Sequence, residues 1–130
     1  MTPQEQTEVL GFFTLLGGYP PIELTHRYDP HTTSLSCELL PTKECGSLSG
    51  VEVFWHKPWV NLSVWLPYQD LPASQLRSLL TDPPEHLQCA IDHKQRLYLT
   101  SKFHSASVRQ EVLYQRFEFL LRRLNAILGA

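Results

Sequence analysis

At 130 residues with a formal net charge of −2, the chain is long enough for one hydrophobic core and too short for two, which predicts a single domain over residues 1–130. Its 42% hydrophobic and 18% charged residues are typical of a globular chain, and the slight acidic excess disfavours nucleic acid as a partner. No run approaches the roughly 20 apolar residues of a membrane span, and three cysteines without C-x-x-C spacing suit reduced thiols, so we expect a cytoplasmic protein that does not contact a membrane.

A helix start signal opens the chain. Thr2 can serve as the N-cap, Pro3 suits the first helical position, and Glu5 completes a capping box. Apolar residues then recur at helical spacing on one face: Val9, Phe12, Phe13 and Leu16. The glycine pair 17–18 interrupts this pattern, so the sequence predicts a helix over residues 3–17.

Residues 22–68 have the pattern of short β-strands separated by turn residues. Runs at 22–28, 34–40, 50–56 and 59–68 predict three or four antiparallel strands. In the last two runs, alternate apolar positions predict a core face: Val51, Val53, Trp55, Val60, Leu62, Val64 and Leu66. The intervening residues then lie on a second, partly exposed face.

A short helix and a hairpin follow. Pro72 lies near the predicted helix start, and the Asp-Pro-Pro sequence of 82–84 ends the helix, whose apolar residues are Leu76, Leu79 and Leu80. Residues 89–103 alternate, break at a charged turn, and alternate again, with Ile91, Leu97 and Leu99 expected to face the core. Gln95 occupies the position where glycine would make the turn easiest to form. We interpret this hairpin as structural.

The last helix has the clearest pattern in the chain. Ser107 and Gln110 predict a capping box, and Gly129 ends the helix. Its apolar residues follow at near-ideal helical spacing: Leu113, Phe117, Leu120, Leu121, Leu124 and Leu128. A basic stripe, which is either a solvated face or a rim for an acidic partner, is formed by Arg109, Arg116 and Arg123.

The sequence contains no motif typical of catalysis or of metal and cofactor binding. Histidines and cysteines in the strand region lack ligand spacing, which leaves a metal site unsupported: His26, His31, Cys37, Cys45 and His56. Cys89 with Asp92 and either His86 or His93 would supply the residue types of a nucleophilic site. A cysteine on the apolar side of a strand is more often a core residue, so we expect no catalytic residues, metal or cofactor.

Aromatic residues are concentrated at the end of the strand region. Trp55, Trp59 and Trp65 lie close together in the sequence, and strand alternation puts Phe54 on the opposite face from Trp55, and Trp65 opposite Val64. These rings therefore cannot all enter one core. A second face rich in aromatic residues is either a binding surface or is covered by the protein's own helix.

The order of elements predicts an α+β fold, α-β-β-β-(β)-α-β-β-α, with helices packed on an antiparallel sheet. From Val60 to Leu128 the chain resembles the class I chaperones of type III secretion systems and the wider group that includes bacterial sensory-transduction-regulator-like proteins. The resemblance rests on "VNLSVWLPYQDLP" leading into "ASQLRSLL", the hairpin "AIDHKQRLYLTSKF" and the helix "QEVLYQRFEFLLRRL". It implies a secretion-chaperone-like fold and a non-catalytic homodimer that holds the N-terminal segment of a secreted effector in extended form.

The resemblance also implies two sets of contact residues. The middle helix and a neighbouring strand would build the dimer interface: Leu62, Leu66, Leu76, Leu79 and Leu80. Helix one and the sheet would bind the client through apolar patches: Phe12, Phe13, Val53, Trp55 and Trp65. An extended client can donate backbone hydrogen bonds to an exposed sheet edge and place side chains in apolar pockets.

Two other functions fit the same pattern. A small-ligand or enzymatic domain would have a pocket between sheet and helix, lined by Trp55, Trp65, His56 and Cys89. A regulatory interaction module of the same fold would bind a folded partner instead. A deep closed pocket would favour the first alternative, whereas a shallow apolar groove on a dimer would favour the chaperone.

Leu97 tests the assignment of the hairpin. The substitution Leu97→Asp would bury an unpaired charge, so we expect the variant to lose its cooperative thermal unfolding. Circular dichroism during heating is the measurement. A variant with the wild-type melting temperature would contradict the placement of residue 97 on a core-facing strand.

Overall fold

The computed structural model describes residues 2–17, 19–26, 33–39, 48–56, 58–67, 69, 71–81, 87–92 and 94–128, with the backbone alone for 19–26, 107 and 127–128. The helices in this part of the chain are α1 (Pro3–Leu15), α2 (Ala73–Thr81) and α3 (Gln110–Leu128). The strands are β1 (Tyr19–His26), β2 (Thr33–Glu38), β3 (Gly50–His56), β4 (Trp59–Pro67), β5 (Gln88–Ile91) and β6 (Arg96–His104). Their order along the chain confirms the predicted α+β class, with the optional fourth strand present before α2.

All these strands join one antiparallel sheet in the order β1-β2-β3-β4-β6-β5. The first four strands form a meander, α2 links β4 to β5 at the sheet edge, and β6 returns between β5 and β4. Val64, for example, lies between Val51 of β3 and Leu99 of β6. Because directly paired residues point to the same face, the registers assign each side chain to one of two faces.

The first face of the sheet forms the core together with α1 and α3. Its strands contribute side chains that are at most 5% exposed: Leu35, Cys37, Val51, Val53, Trp55, Val60, Leu62, Val64, Leu66, Leu97, Leu99 and Phe103. The helices add Val9, Phe12, Phe13, Leu113, Phe117, Leu120 and Leu124. The ring of Phe12 on α1 meets that of Phe117 on α3 edge-on, with 6.0 Å between the centroids. Burial of each large apolar side chain contributes roughly 1.5–3 kcal/mol.

Two carboxylates join α1 to the rest of the fold. The predicted capping box is confirmed, since the Glu5 N–H donates to Thr2 Oγ1 at 3.1 Å and the Thr2 N–H donates to Glu5 Oε1 at 3.2 Å. The capping box predicted at Ser107 is wrong, because α3 begins at Gln110. The backbone N–H of Gln110 donates instead to Oε2 of Glu8 on α1 at 2.7 Å. A carboxylate at a helix N-terminus also suits the helix dipole, so α1 caps α3.

Left-handed backbone geometry shapes two turns. α1 ends at Leu15, before the predicted residue 17, and Gly17 has a φ of 70°. In the β5–β6 turn Gln95 has a φ of 62°, which costs a residue with a Cβ about 1–2 kcal/mol. The Asp92 carboxylate accepts hydrogen bonds from the N–H groups of Lys94 and Arg96 at 2.9 and 3.0 Å. These bonds hold the turn without a glycine.

Two apolar residues are exposed, one predicted to face the core and one predicted on the apolar face of the short helix. Ile91 is 39% exposed because β5 is the outermost strand of the sheet, although its partner Leu97 is fully buried. On α2, Leu79 is buried at 1% exposure whereas Leu80 is 42% exposed. Ile91 thus lies on the core face of the sheet, as expected, but it is not buried in the core.

Gly50 allows Trp65 to lie across the sheet. The two residues form a direct pair between β3 and β4, and a Cβ at residue 50 would collide with the six-membered ring of Trp65. Trp65 is consequently only 8% exposed, even though it lies on the face opposite α1 and α3. The glycine thus provides the space that its neighbour's ring fills.

Gly50→Ala is expected to displace the Trp65 ring and lower the free energy of unfolding by about 1–3 kcal/mol. Urea unfolding followed by circular dichroism measures the loss. In a Trp65→Leu background the same substitution should cost clearly less, since the colliding ring is absent. Equal losses in both backgrounds would contradict this account of Gly50.

Candidate functional site

The aromatic residues divide between the two faces of the sheet, as strand alternation predicts. Trp55 lies on the first face at 1% exposure, and its indole N–H donates to Glu5 Oε2 on α1 at 2.6 Å. Arg116 of α3 also contacts the first face, with its guanidinium 5.6 Å from the ring centroid of Phe103. Trp59 and Trp65 lie on the opposite face. We refer to this surface, opposite α1 and α3, as the second face.

One end of the second face is organised around Arg96. Its guanidinium lies 5.3 Å from the ring centroids of both Trp65 and Tyr98, and its Nε and Nη2 atoms lie 2.8 Å from Asp92 Oδ2. Burial alone would raise the pKa of Asp92, but hydrogen bonds from Arg96 and Lys94 and the charge of Arg96 outweigh it and lower the pKa. The charge of Arg96 is thus neutralised within the chain, and this cluster closes the hairpin.

The other end of the second face is exposed and carries basic groups. We refer to it as the Trp59 patch, formed by His56, Trp59, Lys102 and His104. Trp59 pairs directly with His56 on β3 and His104 on β6, so these three side chains form a row across the sheet. Lys102 Nζ lies 4.6 Å from the indole centroid, and the His104 ring meets the indole edge-on at 6.0 Å. Trp59 is 40% exposed.

Buried polar side chains lie between these two ends. Four of them are at most 8% exposed: Ser34, Glu52, Asn61 and Ser63. The hydroxyl oxygens of Ser63 and Thr100 are 2.7 Å apart and share a hydrogen bond. Because these side chains are almost inaccessible, they form part of the interior of the chain rather than a binding surface.

The residues predicted to bind a client lie largely in the core. Phe12, Phe13, Val53 and Trp55 are at most 1% exposed on the first face or in α1, and Trp65 is 8% exposed on the second face. Contact between the first four and a client would require the core to open. Their binding role stays a prediction.

The residues predicted to form a dimer interface are divided. Leu62, Leu66 and Leu79 are buried within the chain, Leu76 is half-buried, and Leu80 is 42% exposed. α2 contacts the edge strand β5, which adds the exposed Ile91 to this side of the molecule. The accessible part of the predicted interface is therefore the outer side of α2 and the edge of the sheet.

A cleft of about 360 Å³ lies between the start of α1 and the segment after β6. It is lined by Thr2, Gln4, Glu5, Glu8, Ser105, Ala106, Val108 and Arg109. Burial alone would raise the pKa of Glu5, but hydrogen bonds from Trp55 and Thr2 outweigh it and lower the pKa. Glu8 accepts the Gln110 N–H. Both carboxylates thus have structural partners, which favours a role in holding the helices over acid–base chemistry.

The thiol of Cys89 is not activated. Burial raises its pKa, so less thiolate is present at neutral pH, and Asp92, its predicted companion, is held by Arg96. Within the described residues, no group of three or more His, Cys, Asp or Glu side chains is placed to hold a metal ion. The side chains of other candidates are outside the described part of the chain: His26, His31, Cys45, His86 and His93.

The alternative pocket between sheet and helix does not form from the predicted residues. Trp55 and Cys89 belong to the first face, whereas His56 and Trp65 belong to the second. The sheet itself separates the two pairs. These four side chains therefore do not line one cavity.

No protein-family model matches the chain, and no curated protein matches its sequence. Among the helices of the described residues, none combines the length and apolar character that crossing a membrane requires. The fold therefore defines the class of this protein by itself: an α+β domain in which one antiparallel sheet packs two terminal helices against its first face.

Sequence reasoning did not identify Lys102 and His104 as members of a site. Alternation around the apolar Phe103 places both on the second face, and this signal was available from the sequence. Their contact with Trp59 depends on the pairing of β4 with β6, which are separated in the chain by α2 and β5. The Trp59 patch therefore became visible only in the folded structure.

Glu5 is expected to make stability depend on acid pH. Because its pKa is lower in the folded chain, the carboxylate contributes stability above the pKa of the unfolded chain, and this contribution is lost as pH falls through the folded value. Glu5→Gln should therefore cost about 1 kcal/mol at pH 7 and progressively less below about pH 4. Urea unfolding across this range measures the difference.

A matched control is Glu118→Gln, which removes one carboxylate at an exposed position on α3. It should leave the difference between neutral and acid stability close to that of the wild type. A Glu5→Gln penalty that is the same at pH 7 and pH 3 would show that the charge of Glu5 has no role.

Proposed function

We propose that this protein is a non-catalytic homodimeric binding protein with a secretion-chaperone-like fold, which holds the N-terminal segment of a secreted effector in extended form in the cytoplasm. The observation that carries the proposal is the presence of aromatic residues on the sheet face opposite α1 and α3, where Trp59 is 40% exposed. α1 and α3 contact the first face through Trp55, Phe103 and their neighbours, while the second face carries Trp59, Trp65 and Tyr98. Aromatic side chains on such a surface bury large area at small entropic cost.

The order of the elements supports the fold assignment. The strand β4, the short helix α2, the β5–β6 hairpin and the long helix α3 follow one another over the region of resemblance, residues 60–128. β6 lies between β4 and β5, so the hairpin extends the sheet at the edge beside α2. This arrangement gives the chain one sheet edge and one helix near each other, both of which are usable by a second polypeptide.

Exposed apolar residues support a dimer at that edge. Leu80 on α2 is 42% exposed and Ile91 on β5 is 39% exposed. Scattered surface leucines are common and need no explanation, but these two lie on elements that contact each other. A second copy that covered both would remove apolar area from water and protect the short edge strand.

The chemistry of the titratable groups supports a role without catalysis. Burial raises the pKa of Cys89, and Glu5 and Glu8 are committed to Trp55 and to the N-terminus of α3. These groups hold the fold, whereas a catalytic acid, base or nucleophile would need a reactive group directed at a substrate.

The dimer is tested by size-exclusion chromatography with light scattering. We expect the wild type to have twice the monomer mass, and the double variant Leu80→Glu, Ile91→Glu to be monomeric, because two charges would be buried in the interface. The matched control is Leu15→Glu, at a leucine that is 57% exposed at the end of α1, which should remain dimeric. A wild-type protein that is monomeric at all concentrations would count against the proposal.

The client is tested by purification of the tagged protein from its native cells under mild conditions, with mass spectrometry of what is retained. One abundant partner should be found, and a fragment containing only its N-terminal segment should rebind the pure protein. Retention through a folded domain of the partner would support the regulatory module instead. A preparation that retains no partner would argue against a chaperone.

A further inference from the structure

The charged groups of the second face are separated along the strands. At one end, the row that pairs Lys102 with Asn61, Phe54 and Ser34 contains no acidic side chain, and the same holds for the row His56, Trp59 and His104. The acidic residues that the register places on this face lie in other rows: Glu23 and Glu52 in the row next to that of Lys102, and Glu38 one row further away. The Trp59 patch is therefore a basic region on a chain whose net charge is −2.

Lys102 has donors available for a partner. Its ammonium lies over the indole of Trp59 at 4.6 Å, and it makes no ion pair within the described part of the chain. An ammonium has three donors, so contact with one ring face leaves it able to bind a carboxylate. This differs from Arg96, whose charge is already paired with Asp92.

His104 adds a second donor in a defined orientation. Its Nδ1 accepts the backbone N–H of Ala106 at 3.1 Å, so in the neutral ring the hydrogen must lie on Nε2. The side chain is exposed. An Nε2–H at the surface, beside an ammonium, can donate to a second anionic group.

The spacing of these donors matches an extended polypeptide. Residues 102 and 104 are two apart on β6 and point to the same face, so their side chains are separated by about 7 Å along the strand. Alternate side chains of an extended partner have the same separation. Acidic residues at positions i and i+2 of such a segment would meet Lys102 and His104 together, with an apolar side chain or backbone against the exposed indole of Trp59.

We propose that the Trp59 patch docks an acidic stretch of an extended polypeptide, with aspartate or glutamate at alternate positions. The assignment of that stretch to the client rests on the proposed function. The chemistry of the contact rests on the patch itself: one ammonium, one imidazole N–H and one exposed indole, with no carboxylate among the described residues of the two rows it occupies.

The test uses the whole protein and a short fluorescent peptide that alternates threonine with glutamate, measured by fluorescence anisotropy at low ionic strength. The control peptide replaces each glutamate by glutamine. The variant is Lys102→Gln, and its matched control is Lys94→Gln, which makes the same charge change in the exposed turn at the other end of β6. Lys102→Arg restores the charge.

We expect the glutamate peptide to bind more tightly than the glutamine peptide, and Lys102→Gln to weaken it by about threefold or more. Lys94→Gln and Lys102→Arg should bind like the wild type. Trp59→Leu should also weaken binding, because the ring is lost. Equal affinities of Lys102→Gln and Lys94→Gln, or no preference for glutamate, would overturn the proposal.

Failure of this inference can be told apart from failure of the proposed function. If the client's N-terminal fragment binds wild type and Lys102→Gln equally, the chaperone function stands and the docking site is wrong. The protein could instead be monomeric and retain no client, while binding of the glutamate peptide still depends on Lys102. In that case the docking site is correct and its partner is a different acidic polypeptide.

Discussion

The antiparallel pairing of β4 with β6 is the constraint on which the rest of the structure depends. The two strands are nine residues long, and their register places Leu62, Val64 and Leu66 on the side that meets α1 and α3, and Trp59 and Trp65 on the other. A shift by one residue would exchange these faces, exposing the apolar positions and burying lysine. Because that exchange would be costly, burial of the whole core specifies the register of the two strands.

Once the first face is defined, α1 and α3 have one place to pack. Two carboxylates on α1 specify that place, Glu5 through the Trp55 indole and Glu8 through the N-terminus of α3. Gly11 on α1 also approaches the Gln110 side chain closely. The beginning and end of the chain are thus joined over the sheet, and this leaves the opposite surface to the aromatic residues.

The two ends of the second face illustrate how similar side chains acquire different roles. Arg96 lies against Trp65 and Tyr98 and forms an ion pair with Asp92. Its charge is therefore neutralised within the hairpin, and the side chains of the ion pair are half-buried. Lys102 lies against Trp59 in a comparable way, but it is exposed and has no carboxylate partner among the residues that the structure describes. Cation–aromatic contact alone does not separate structural from binding clusters. The two clusters differ in their local counter-charge, which Asp92 supplies to Arg96.

The sequence by itself determined the helices, the strands and the alternation that divides Trp55 from Trp65, because these depend on local periodicity. It also located the capped start of α1, where Thr2 and Glu5 are three residues apart. The tertiary structure decided that Glu8 replaces Ser107 in capping α3, that Ile91 is exposed on an edge strand, and that Lys102 and His104 surround Trp59. Each of these depends on contacts between residues far apart in the chain, and such contacts are set by strand order and register rather than by local sequence.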